Sequence, residues 1–199
     1  MDVGSGFAAL REKLRASLDS HPEFLSITAR NTRLGPAPAT GGRRGGERTS
    51  NSDPVTRVSD LQLNAIGFAG EWLAYHWLLQ RYPDQVTDAC WKSKNRAAVF
   101  TGDLGDDQLG YDFAVPSRGG AVMYEVKATT RDGGEIQLGE SEVLAAQDNA
   151  RNNRWRLLVV TNVLTKHRQI RQLRNPFHPK SRGYFTFAGQ GLRLLYRAD

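Results

Sequence analysis

Residues 110–130 read GYDFAVPSRGGAVMYEVKATT, two short apolar runs on either side of Ser117-Arg118-Gly119-Gly120. A four-residue turn signal with two glycines, set between β-type runs, makes the flanking runs antiparallel neighbours. If Ser117 and Gly120 close the turn, Val115 faces Val122, Phe113 faces Tyr124 and Asp112 faces Glu125. Directly opposed side chains share one face about 5 Å apart. Alternation then puts Glu125 and Lys127 on that face, with Tyr124, Val126 and Ala128 on the other. Like charges set opposite each other destabilise an ordinary hairpin, and a bound cation removes the conflict. Mg2+ (or Mn2+) takes oxygen ligands and needs only one or two protein carboxylates. Such an ion lowers the pKa of a bound water and offsets charge on a scissile phosphate. Asp112 and Glu125 are therefore candidate metal ligands, and Lys127 the group that orients the attacking water or stabilises a developing oxyanion. An isolated Glu-x-Lys on an exposed strand is ordinarily without chemistry; the aspartate at hairpin distance is what sets this one apart.

The preceding segment, 60–82, carries Ile66, Ala69, Leu73 and Trp77 at core spacing behind a Ser59-Asp60 cap, which predicts a helix. Glu71 falls off that stripe, on a flank with Gly67 and Ala74. Gly67 and Gly70 each cost a helix about 1 kcal/mol relative to Ala, which asks for a packing or functional reason. Glu71 is thus a further candidate site residue. The expected order continues with a strand around 86–93, hairpin strands at 111–116 and 121–129, an extended piece at 135–138, a helix at 140–151 and a strand at 155–163. A last hairpin pairs 183–187 with 192–196 around Gly189-Gln190-Gly191. Helices before and after a mixed sheet make an α/β sandwich.

The ordered set Ile66-Gly67-x-x-Gly70-Glu71, Gly110-Tyr111-Asp112-Phe113, Glu125-Val126-Lys127-Ala128-Thr129, Ser141-Glu142-Val143 and the apolar strand 155–162 resembles the PD-(D/E)xK nuclease superfamily. It is more closely similar to the C-terminal domain of NO VEIN-type proteins, in which Gly-Tyr stands where the superfamily name places proline. The resemblance covers about residues 60–163. It implies a mixed central β-sheet flanked by helices, a restriction-endonuclease-like sandwich, and Mg2+-dependent hydrolysis of phosphodiesters in DNA or RNA. It adds the Val126 carbonyl to the metal ligands and has Glu71 face the metal from the helix side. It gives Glu142 at the start of the later helix as support, with Gln147 as the alternative used in other nuclease branches.

Charge is distributed unevenly. The chain carries +6 overall, but residues 59–150 hold 7 Lys/Arg against 14 Asp/Glu, while residues 151–199 hold 11 against one. An acidic segment followed by a basic tail suits an enzyme acting on a polyanion, DNA more than RNA. Lys166, Arg168, Arg171, Arg174, Lys180 and Arg182 are the candidate phosphate contacts, with Phe177 and Tyr184 placed to stack on bases. Residues 31–58, rich in Gly, Pro, Ser, Thr and Arg, read as a flexible linker between an N-terminal helical segment (1–30) and the nuclease-like domain (59–199). The N-terminal segment has Phe7, Leu10, Leu14 and Leu18 at helical spacing. A lone helix of that length is marginal in water, so it is expected to dock on the main domain, a second copy or a partner. The layout is that of a piece of a larger chain or complex.

The single Cys90 excludes an intramolecular disulfide and a zinc knuckle. No apolar run is long enough to span a bilayer and no signal peptide is evident, so a cytoplasmic chain with no membrane contact is expected. Two other classes of function fit the same residues: a catalytically inactive nuclease-fold module that binds nucleic acid or scaffolds a complex, and an interaction domain whose N-terminal helix recruits partners.

Overall fold

The computed structural model describes residues 3–20, 25, 27–30, 33–38, 59–181, 183–188 and 192–197. In chain order the elements are α1 (Val3–Asp19), β1 (Thr28–Arg30), α2 (Asp60–Arg81), β2 (Phe113–Val115), β3 (Val122–Ala128) and β4 (Glu135–Leu138). They continue with α3 (Glu140–Asp148), β5 (Trp155–Thr161), β6 (Gln169–Leu173), β7 (Phe185–Ala188) and β8 (Leu192–Tyr196).

α2 opens on a capping box: Ser59 Oγ accepts from the Gln62 N–H and the Gln62 side chain accepts from the Ser59 N–H. The helix lays Phe68, Trp72, Tyr75 and Trp77 against one face of a five-stranded mixed sheet in the order β1-β6-β5-β3-β2. β3 runs parallel to β5, and β5 is antiparallel to β6. Because β5 is buried on both faces, its sequence is an almost unbroken apolar run. Tyr124, Val126, Leu158 and Val160 point to α2. Leu157, Val159 and Leu173 point the other way, into a second core shared with Ala146 of α3 and with Ile136, Leu138, Leu194 and Tyr196 of a small antiparallel sheet, β4-β8-β7. The sandwich expected from the sequence is therefore present, with α2 on one face and α3 plus a second sheet on the other. At Gly70 the helix approaches β3 so closely that an added Cβ would collide with Ala128. This is the packing reason for that glycine; a Cβ at Gly67 would meet nothing.

α1 docks on this body, the first of its three expected destinations. Leu14 and Leu18 join the α2 core, Arg11 donates to Asn64 Oδ1 at 3.4 Å and Arg15 to the Ala98 carbonyl at 3.3 Å. Residues 33–38, read from sequence as linker, run beside the small sheet: the Ala37 N–H donates to Gly183 O and Thr186 Oγ1 to Pro38 O. Residues 39–58, the rest of the expected linker, lie outside the described residues, as does Arg182.

Three expectations need correction. The strand around 86–93 is a single 3-10 turn at Asp88–Cys90 followed by an isolated bridge from Trp91 to Phe113. The basic tail contains an unforeseen strand, β6, whose neighbours β5 and β1 bury two of its cations: Arg168 at its entry is 4% exposed and Arg171 within it 9%. The hairpin register is as expected from Val115↔Val122 to Phe113↔Tyr124, with the turn closed by the Gly120 N–H on Ser117 O, but the ladder stops there. The Asp112 N–H donates to Tyr124 O, and the Asp112 carbonyl accepts from the Lys92 N–H. Asp112 is thus drawn out of the ladder by the 91–92 segment and is not registered against Glu125.

Candidate active site

The early end of the β2–β3 ladder creates the site. Along β3 the N–H groups of Met123 and Thr129 donate to β5, so the odd positions face β5 and the even positions face the β2 side. Past Tyr124 that side has no strand partner. The Val126 N–H instead donates to Asp112 Oδ2 at 2.8 Å. Because the N–H and C=O of one strand residue leave on the same side, the Val126 carbonyl emerges beside Asp112.

A cleft of about 350 Å³ opens at this gap, lined by Glu71, Asp112, Glu125, Val126, Lys127 and Glu142 among others. Six candidates from the sequence, on α2, the residue before β2, β3 and α3, share one concavity. Lys127 Nζ lies 2.9 Å from Glu125 Oε1 and 2.8 Å from Glu142 Oε1. Glu142 is held in turn by its own helix start, where Oε2 accepts the Gly139 N–H at 2.9 Å. Gln147, the alternative to Glu142, is exposed farther along α3 and does not line the cleft.

Glu71 is 7% exposed and fully engaged. Oε2 accepts from Trp91 Nε1 at 2.8 Å and from Ser93 Oγ, and Oε1 accepts from Asn95 Nδ2 at 2.5 Å. The carboxylate therefore clamps the 91–95 segment to α2 and makes no contact with Lys127. Trp91, Ser93 and Asn95 escaped the sequence reading, although the alternation of Trp91 and Ser93 at the end of the expected strand, continued by Asn95 just past it, is the signal that marks them.

The field in the cleft is strongly negative. Burial pushes the Asp112 carboxyl well above its ordinary range, reinforced by Glu125 and Glu71 and opposed by the Val126 N–H and by Lys127. Burial likewise pushes Glu125 up to about 8, with Lys127 opposing and Glu142 adding to the rise. Lys127 is held above its usual value because its two carboxylates outweigh its own burial. Acids that resist ionisation with one ammonium among them form a cation-seeking group. Among the described residues no three His, Cys, Asp or Glu side chains converge as a closed cage. A Mg2+ ion asks for less: Asp112, Glu125 and the Val126 carbonyl, with water and phosphate oxygens completing the sphere.

Gly110 fixes the geometry between the two halves. Its φ is +74°, its carbonyl accepts from Trp155 Nε1 at 2.8 Å, and an added Cβ would run into the Ser141 backbone at the start of α3. Gly110→Ala combines left-handed strain with a backbone clash and is expected to cost about 3 kcal/mol, read as a lower urea midpoint at unchanged slope.

None of the described basic-tail candidates lines the cleft, whose cations among the described residues are Arg11, Lys94 and Lys127. Arg168 and Arg171 are buried and do not form the phosphate-contacting surface expected of them. Lys166 is exposed and does not line the cleft, and Arg174 and Lys180 line concavities elsewhere. No helix of the described residues is long and apolar enough to cross a membrane.

The family model described as Protein NO VEIN, C-terminal matches residues 70–173, just over half of the chain. No curated protein and no solved structure matches significantly.

Proposed function

The chain belongs to the NO VEIN C-terminal family, and from that premise we propose that its cleft is a metal-dependent nuclease site for DNA or RNA. The observation that carries the reading is Lys127 held between Glu125 and Glu142 in the same cleft as Asp112. Asp112, Glu125 and the Val126 carbonyl would hold Mg2+ or Mn2+, which supplies a water of lowered pKa and neutralises charge on the phosphate. Lys127 Nζ, pinned by two carboxylates, donates to the attacking water or to a phosphate oxygen. Glu142 sets the position of that ammonium. Glu71 acts at one remove, by fixing the 91–95 wall and deepening the negative field at Asp112.

A second reading has an observation of its own. Lys127 pairs with Glu125 and Glu142 without any ion, an arrangement that a nuclease-fold module binding nucleic acid without turnover could also keep. Labelled single-stranded DNA, duplex DNA and RNA incubated with Mn2+ or Mg2+, with EDTA, and with Lys127→Ala separate the two. Cleavage that needs metal and falls at least about 10²-fold in the variant supports the nuclease. Equal cleavage by both proteins, or none by either with binding intact, sinks it.

A further inference from the structure

Beside β5 and β6 of the five-stranded sheet lies a basic groove that shares no lining residue with the cleft. One compartment, about 350 Å³, is lined by Arg33, Arg174, Lys180, Ser181 and Tyr184 at the end of β6. A second, about 400 Å³, shares Arg174 and Lys180 and adds Arg156 and His178. The groove takes Arg156 from β5 and Gln172 and Leu173 from β6, whereas the sheet residues of the cleft, Glu125, Val126 and Lys127, lie on β3.

Among the described residues the groove holds cations and no carboxylate: no acidic side chain lines either compartment, and none of its four arginines and lysines forms an ion pair. Two further polar groups are buried without a partner among the described residues: Ser181 Oγ, in a residue 1% exposed, and Arg156 Nε. Leaving such groups unpaired is unfavourable, and an anion offers acceptors to both. The two compartments meet at Arg174 and Lys180, so successive phosphates of one strand fit the arrangement, with the half-exposed Tyr184 ring beside them as a stacking face.

We propose that this groove binds the phosphate backbone of a nucleic-acid strand, as a second contact independent of the cleft. The proposal rests on nucleic acid as the ligand class of the cleft but not on turnover there. Sequence reasoning named Lys166, Arg168, Arg171, Arg174, Lys180 and Arg182 for this task; the groove contains Arg174 and Lys180 of these and adds Arg156 and Arg33 from outside that set.

The test is anisotropy of a labelled single-stranded DNA oligonucleotide with the full chain in EDTA, across a salt series. Arg174→Glu/Lys180→Glu is expected to weaken binding about tenfold or more and to lower the slope of log affinity against log salt by about two. The milder Arg174→Gln/Lys180→Gln pair is expected to lose several-fold, with an unchanged melting temperature. Arg118→Glu/Arg131→Glu, of equal charge change and outside both sites, should change affinity less than twofold. Unaltered binding by the glutamate pair overturns the groove, and so does an equal loss in the control pair, which would reduce the effect to net charge. If inorganic phosphate raises the melting temperature of the wild type but not of the pair while both bind DNA alike, the groove takes a small anion and the backbone assignment fails. Chelation keeps cleavage out of the readout, so a failed nuclease assay and a failed groove are separate results.

Discussion

Glu125→Gln is expected to lower metal-dependent cleavage on the order of 10³-fold while leaving the protein folded. The glutamine keeps the shape of a side chain only 4% exposed and keeps an acceptor oxygen for Lys127. It removes the charge that, with Asp112, would hold the ion. A metal ligand supplies both the low pKa of the bound water and compensation at the phosphate, so its loss should exceed the 10²–10³ typical of one electrostatic donor. Lys127 retains Glu142 at 2.8 Å, so the ammonium stays in place and the loss reports the ion and not a displaced lysine. Asp112→Asn should behave alike, since an amide oxygen can still accept from the Val126 N–H. Single-turnover cleavage in Mn2+, with circular dichroism as the folding control, reads the effect. A residual rate within tenfold of wild type in both variants would place the metal, and hence the chemistry, elsewhere.

How far the sequence revealed this site follows from the range over which each signal acts. The turn at 117–120 is local, so it set the register of Phe113 and Val115 correctly. Asp112 lies one residue beyond, and its place is decided by Lys92 and Trp91, twenty residues upstream, which no pairing rule within the hairpin contains. Glu71 was legible as a candidate because its neighbours Gly67 and Gly70 broke helix economy, yet of its three donors Trp91 and Ser93 lie in a segment read as a plain strand and Asn95 just beyond it. The basic tail misled for a different reason. A run of arginines reads as a solvated surface, whereas β6 threads two of them between neighbouring strands, and only long-range pairing with β5 and β1 determines which. Fold class needed less: alternation and the apolar run at 155–161 were enough.

The acids proposed to bind the ion should also make the metal-free protein a pH-sensitive one. Glu125 titrates near 4.5 in an unfolded chain and at about 8 in the folded one. A raised carboxyl contributes stability that is fully present below 4.5 and is lost as pH rises through 8, because unfolding then releases a buried charge to water. Asp112 is shifted in the same direction and adds to the trend. Lys127, raised above its usual 10.5, stays charged throughout this window and leaves the slope alone. In chelator, unfolding free energy should therefore fall on the order of a few kcal/mol between pH 5 and pH 8.5, a drop of about 5–10 °C in melting temperature for a chain of this size. If Mn2+ or Mg2+ binds the ionised acids of the folded state, as proposed, it should restore most of that loss at pH 8 and little at pH 5. Glu125→Gln should flatten the profile, melt higher than wild type at pH 8 without metal, and lose the metal response. Scanning calorimetry across pH with and without the ion reads all three. A wild type equally stable at pH 5 and pH 8 in chelator, or one stabilised equally by the ion at both, would show that Asp112 and Glu125 are not the groups the ion meets.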